Sequence, residues 1–167
     1  MGEYLLPDDI AELAARVVAE NRALGRTVAL AESCTGGLVA AALTEIAGSS
    51  AVLDRGFVTY SNESKREVLG VPDEILDTFG AVSVATAWAM AQGALARSNA
   101  EVAVAISGIA GPDGGSAQKP VGTVVFARAF RGREDVDVDA EEQHLDGSSR
   151  AEVRRQATLV ALELLLP

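Results

Sequence analysis

Val28-Ala29-Leu30-Ala31-Glu32-Ser33-Cys34-Thr35-Gly36-Gly37 opens on four apolar residues, turns polar and ends on a glycine pair. A short continuous apolar run marks a strand buried on both faces, because a strand with one wet face alternates apolar and polar positions. The glycines permit a tight turn from that strand into a helix read over Leu38 to Ile46. The pattern recurs downstream. Val102 to Ile106 is a second buried run, and it leads into Ser107-Gly108-Ile109-Ala110-Gly111-Pro112-Asp113-Gly114-Gly115. Strands that end in glycine-rich turns, interleaved with helices, predict an α/β fold.

The flanking segments extend this pattern. Asp9 and Glu12 suit a capping box for a helix carrying Ile10, Leu13, Ala14, Val17 and Val18, with Gly25 as its stop. Phe57 to Tyr60 reads as a strand, and Lys65 to Leu69 and Asp73 to Phe79 as short helices. A helix from Ser83 presents Ala87, Met90, Ala91, Ala94 and Leu95, a small apolar side suited to close packing on a sheet. Val121 to Phe130 is β-rich, Arg131-Gly132-Arg133 is a turn, and Glu134 to Leu145 suits an antiparallel return strand. Ser149 caps a last helix, with Glu152 at the capping-box position and Val153, Ala157, Val160, Ala161 and Leu164 as its buried stripe. The expected fold is a single three-layer α/β/α domain over residues 1–167, with a mixed, mainly parallel sheet.

The formal net charge of −10 argues against a general nucleic-acid binder, which needs many Lys and Arg contacts to phosphates. It leaves room for a small anionic ligand held by main-chain N–H groups and a few local cations. With one cysteine, Cys34, and one histidine, His144, the chain lacks a disulfide framework and the usual nitrogen and sulfur metal ligands. No cofactor or metal is therefore expected. No signal peptide or apolar run of membrane-spanning length is visible, which suggests a cytoplasmic protein without a membrane partner.

In α/β sheets, ligands bind beyond the carboxyl ends of strands, where loops meet helix N-termini. Ser33 and Ser107 each follow a buried run and precede glycines, so both are candidate site residues. The plainer account is that they only cap tight turns. A serine nucleophile needs a base. His144 serves only if its polar segment, Glu141-Glu142-Gln143-His144, lies against the glycine loops; otherwise it is a surface histidine. The chain has only two lysines, Lys65 and Lys119, among 14 Lys and Arg. A desolvated lysine can act as a base where arginine cannot. Lys65 follows Tyr60-Ser61-Asn62-Glu63-Ser64, and Tyr60 could relay a proton or orient the amine. A solvated lysine on a helix is the competing account. Cys34, beside Ser33 near a helix N-terminus, is a rival nucleophile or simply a buried cysteine.

Ala31 to Gly37, Tyr60-Ser61-Asn62-Glu63, Ser107 to Gly115 and Lys119-Pro120-Val121-Gly122-Thr123 resemble, in this order, the signature segments of the CinA C-terminal family. The resemblance runs from about Ile10 to the last helix. It implies a stand-alone amidohydrolase that converts the carboxamide of nicotinamide mononucleotide to a carboxylate and releases ammonia. Carried onto this chain, it implies Ser33 as nucleophile, Lys65 as general base and Tyr60 as helper. Thr35, Gly36, Gly37, Ser107, Gly108, Ala110 and Gly111 would supply oxyanion and substrate contacts, and Arg150 would meet the substrate phosphate. Ser116-Ala117-Gln118 and the serines after Gly147 depart from the commoner family pattern. Family members are often homodimers or higher homo-oligomers, and the Ser83 to Arg97 helix could pack across such an interface or against its own sheet. Two other readings stay open: a non-catalytic nucleotide-binding module, or a hydrolase of another small amide.

Overall fold

The computed structural model describes residues 4–133 and 139–167. The elements follow as α1 (Asp8–Leu24), β1 (Val28–Glu32), α2 (Leu38–Thr44), β2 (Leu53–Val58), α3 (Asn62–Leu69), α4 (Asp73–Phe79), α5 (Val84–Ala96), β3 (Val102–Gly108), β4 (Thr123–Phe130), β5 (Asp139–His144) and α6 (Arg150–Leu164). One sheet takes the order β2-β1-β3-β4-β5. β1 pairs in parallel with β2 and β3, whereas β4 runs antiparallel to both β3 and β5. This is the mixed α/β/α arrangement expected from the interleaved pattern.

Successive strand residues point to opposite faces, and here the two faces differ in bulk. Val28, Leu30, Val104, Ile106, Val124 and Phe126 pack with α1, α2 and α6. Ala29, Ala31, Ala103, Ala105, Ala127 and Ala129 pack with α5 and the residues that flank it. An alanine-lined face lets a helix rich in Ala and Gly lie close to the sheet. The small side of α5 thus packs on its own sheet. α5 also meets α3 closely: a Cβ at Gly93 would stand 2.1 Å from the Leu69 carbonyl oxygen at the end of α3.

Several expected boundaries move. α1 is capped by Pro7 without a side-chain bond, and Asp9 lies inside its first turn, accepting from Ile10 N at 2.9 Å. With Pro7 as the cap, the helix starts at Asp8, two residues earlier than a capping Asp9 would place it. The strand expected at Phe57 to Tyr60 is β2, Leu53–Val58. Asp54 and Arg55 disguise it because an edge strand turns much of its surface to water. α3 starts at Asn62, three residues ahead of Lys65, because the Ser61 side chain caps it by accepting from Ser64 N. β4 begins at Thr123, and the return strand is β5 over Asp139–His144; the expected residues 134–138 lie outside the described residues. Ser149 caps α6 by accepting from Glu152 N at 3.0 Å, while the Glu152 carboxylate turns to Arg155 instead of closing a box.

The carboxyl ends of β1, β2 and β3 lie along one edge of the sheet, because these strands are parallel. From β1 the chain leads to β2 on one side, and β3 occupies the other side. The crevice at such a reversal is where open α/β sheets bind ligands.

Candidate active site

Ser33 leaves the end of β1 with its N–H donated to Ile106 O of β3 at 2.9 Å, so its position is tied to the sheet. Lys65 reaches it from α3. A helical side chain leans toward its own helix N-terminus, and from the first turn of α3 this carries the amine back over the end of β2. Lys65 Nζ lies 3.0 Å from Ser33 Oγ, 2.8 Å from Thr59 O and 3.2 Å from Tyr60 O. The Lys65 side chain is only 1% exposed. Burial disfavours its charged form and lowers its pKa from 10.5 to about 8. A neutral amine can give its two hydrogens to the two carbonyls and turn its lone pair to the Ser33 hydroxyl.

These side chains open on a cavity of about 270 Å³. Ser33, Cys34, Tyr60 and Lys65 line one side, and Ser107, Gly108, Ala110 and Gly111 another. Arg150 closes part of the rim: its Nη1 donates to Gly111 O at 2.7 Å and its Nη2 to Tyr60 Oη at 3.0 Å. The Tyr60 phenol therefore meets Arg150, and it is the Tyr60 carbonyl that orients the lysine. Ser107 Oγ donates to Ala81 O at 2.8 Å, which commits its proton to the main chain.

Thr35, Gly36 and Gly37 are not among the cavity's lining residues. Gly36 N is already bonded to Ser33 O at 3.0 Å. The glycines take positive φ, +60° at Gly36 and +101° at Gly37, which turns the chain from β1 into α2 and leaves Ser33 at the bend. The N-terminus of α2, where main-chain N–H groups could meet an anion, is filled from within. Glu32, 1% exposed, accepts from Val39 N at 3.0 Å and Ala40 N at 3.1 Å. Glu32 was not singled out in the sequence, because it lies outside the N-cap and N3 positions where a capping carboxylate is read. Only the turn at Gly36 and Gly37 brings it back over the helix. Asp113 also lines the cavity and had been read only as part of the glycine loop.

His144 sits on β5, away from the cavity lining, with Nε2 3.3 Å from Glu142 and Nδ1 3.4 Å from Thr123 Oγ1. It does not meet Ser33. Cys34 is buried, and desolvation, the largest effect, pushes its thiol up to about 11. A thiol so placed stays protonated near neutral pH and is a poor nucleophile. Among the described residues no group of His, Cys, Asp and Glu is arranged to hold a metal ion, and no helix is long and apolar enough to cross a membrane.

Known proteins bear on this site. A nicotinamide-nucleotide amidohydrolase PncC of Enterobacter agglomerans is 51% identical over 93% of this chain and 92% of its own length. A putative competence-damage inducible protein of Symbiobacterium thermophilum is 55% identical over 80% of this chain, a match that covers 31% of that longer protein. The crystal structure of competence/damage inducible protein CihA from Agrobacterium tumefaciens superposes with a TM-score of 0.92 at 55% identity, covering 99% of this chain and 97% of that one. The family model of the CinA C-terminal domain matches residues 10–167. With its fold, its crevice at the β1 and β3 ends and these relatives in agreement, the chain belongs to the CinA C-terminal domain family.

Proposed function

We propose that the chain hydrolyses the carboxamide of nicotinamide mononucleotide to the carboxylate, releasing ammonia, with Ser33 as nucleophile and Lys65 as general base. The observation that carries this reading is the 3.0 Å contact between Ser33 Oγ and a buried Lys65 amine whose pKa is lowered to about 8. The activity itself is that of the amidohydrolase relative, which is similar over nearly its whole length.

In the proposed reaction the neutral Lys65 amine takes the Ser33 proton as Oγ attacks the amide carbon. Main-chain N–H groups beside the nucleophile stabilise the tetrahedral oxyanion. That of Cys34 is a candidate: it has no carbonyl acceptor among the described residues, and its one partner is the sulfur of its own side chain. One such donor is worth about 2.7–4 kcal/mol in hydrolases. The Lys65 ammonium then protonates the leaving nitrogen, and ammonia departs from an acyl-serine. Lys65 next takes a proton from water, the hydroxide attacks the ester, and Ser33 recovers its proton as the carboxylate product leaves.

Arg150 is the cation placed to meet the substrate phosphate at the rim, and Tyr60 assists by holding Arg150 through its phenol and Lys65 through its carbonyl. The Gly108 to Gly111 arc supplies further main-chain contacts, and Thr35 to Gly37 act by shaping the turn that presents Ser33. No cofactor enters the scheme. We take the protein as cytoplasmic and as a homodimer or higher homo-oligomer, which sedimentation of the purified protein tests.

The deciding experiment is ammonia release from nicotinamide mononucleotide by wild type, Ser33→Ala and Cys34→Ala. Activity abolished in the first variant and largely kept in the second supports the scheme. No release from folded wild type would move the reading to a nucleotide-binding module or another amide.

A further inference from the structure

Residues 79–82, from the last residue of α4 toward α5, form one wall of the cavity through Ala81 and Val82. Each of their successive carbonyls is held by a side chain. Phe79 O and Val82 O accept from Lys119 Nζ at 3.2 and 2.5 Å. Gly80 O accepts from Thr86 Oγ1 at 2.7 Å, and Ala81 O from Ser107 Oγ at 2.8 Å. Thr86 belongs to the helix that follows the segment. Ser107 and Lys119 come from across the cavity, at the end of β3 and in the loop whose Gly108 to Gly114 arc forms the facing wall.

Lys119 is itself anchored. Ser116 N donates to Lys119 O at 2.8 Å and Lys119 N to Ser116 Oγ at 3.0 Å, which closes the turn that carries it. At the base of the loop, Gly122 N bonds Ile109 O at 2.8 Å and Ile109 N bonds Thr123 O at 2.9 Å. The amine thus projects from a braced loop onto a segment that has few other ties to it. A single ammonium carries several donors at one point, so it can satisfy both carbonyls together, including the last one of α4.

We propose that Lys119 is a positioning residue that sets the width of the cavity by stapling residues 79–82 to the glycine-rich loop. It does not touch the Ser33–Lys65 pair. Its effect falls on how well the substrate is gripped, and in that respect the proposal rests on the amidohydrolase reading above. A purely structural role, the capping of α4, would lower thermal stability and leave substrate affinity alone.

The test compares wild type with Lys119→Met, which keeps the stem and removes the donors, and Lys119→Arg, which keeps the charge and donors. In Lys119→Met, KM for nicotinamide mononucleotide should rise about tenfold, as loss of charged hydrogen bonds allows, with kcat within about threefold. The pH at which the acid side of the profile turns should not move, and Lys119→Arg should recover most of the loss in KM. Independently of substrate, amide hydrogen exchange over residues 80–83 should quicken in Lys119→Met while that of β1 stays as in wild type. A folded Lys119→Met with unchanged KM overturns the proposal whether or not its exchange quickens, as does a shifted pH profile, which would place Lys119 on the nucleophile pair. If wild type releases no ammonia, the amidohydrolase reading fails, and the exchange comparison alone decides the wall.

Discussion

Lys65 Nζ lies 3.0 Å from Ser33 Oγ, and its other two partners are the uncharged carbonyls of Thr59 and Tyr60. Burial lets a lysine so partnered give up its proton near pH 8, well below a solvated lysine, and so reach the form that can accept one. Moving its pKa from 10.5 to about 8 corresponds to roughly 3 kcal/mol of penalty on the charged form. That penalty weakens the fold at neutral pH, and we read it as a cost carried for function.

Replacing the base separates stability from activity. Lys65→Met should lower kcat by about a thousandfold or more, given the weight of a positioned base, and should raise the unfolding free energy at pH 7 by about 1–3 kcal/mol. Lys65→Arg should be equally inactive, because arginine keeps its proton, and it should be less stable than wild type. Activity retained in Lys65→Arg would remove Lys65 from the role of base.

The pH dependence follows from the same shift. The log of kcat/KM should climb with pH and level off above about 8, as Lys65 deprotonates. For stability the sign is worked from proton counts. Between about pH 8 and the unfolded lysine value near 10.4, the unfolded chain holds the extra proton, so this group makes stability rise with pH there. Below pH 8 both states are protonated and the penalty is present in full. Denaturant titrations across pH 7–10 should show this increment in wild type and not in Lys65→Met.

Glu32 should be indispensable to the turn that presents Ser33. Its carboxylate satisfies Val39 N and Ala40 N inside the protein, so Glu32→Ala leaves buried donors unpaired. A loss of about 2–3 kcal/mol is expected, with a lower Tm and reduced kcat. Glu32→Gln should fall between, since an amide offers one acceptor where two are used. Calorimetry of the three proteins gives the order directly.

Arg150 and Tyr60 should act on binding. Arg150→Ala should raise KM for the nucleotide by roughly tenfold or more, as the loss of a charge-assisted contact implies, while turnover of the nucleoside lacking the phosphate changes little. Tyr60→Phe removes the phenol that meets Arg150 but leaves the carbonyl that meets Lys65. It should therefore change KM without moving the pH at which activity levels off. A moved pH profile in Tyr60→Phe would instead make the phenol part of the proton path.

Much was settled by local sequence. The apolar runs at Val28 and Val102, the glycines behind them and the spacing of the helices decide the α/β layering, because burial on both faces and turn geometry are properties of a few neighbouring residues. The scarcity of lysine drew attention to Lys65 and Lys119 alike, and it was the family resemblance that implied Lys65 as the base. Local patterns could not show that β2 starts at Leu53, since an edge strand carries polar residues, nor that Glu32 fills the α2 N-terminus. Only the tertiary structure decided which groups meet. The parallel alignment of β1, β2 and β3 puts the ends of distant segments side by side, bringing Lys65 onto Ser33 and leaving His144 on the far strand β5. The energetics that matter for chemistry arise at that level, because a lysine's pKa depends on how much water and charge surround it, and these are set by the folded chain as a whole.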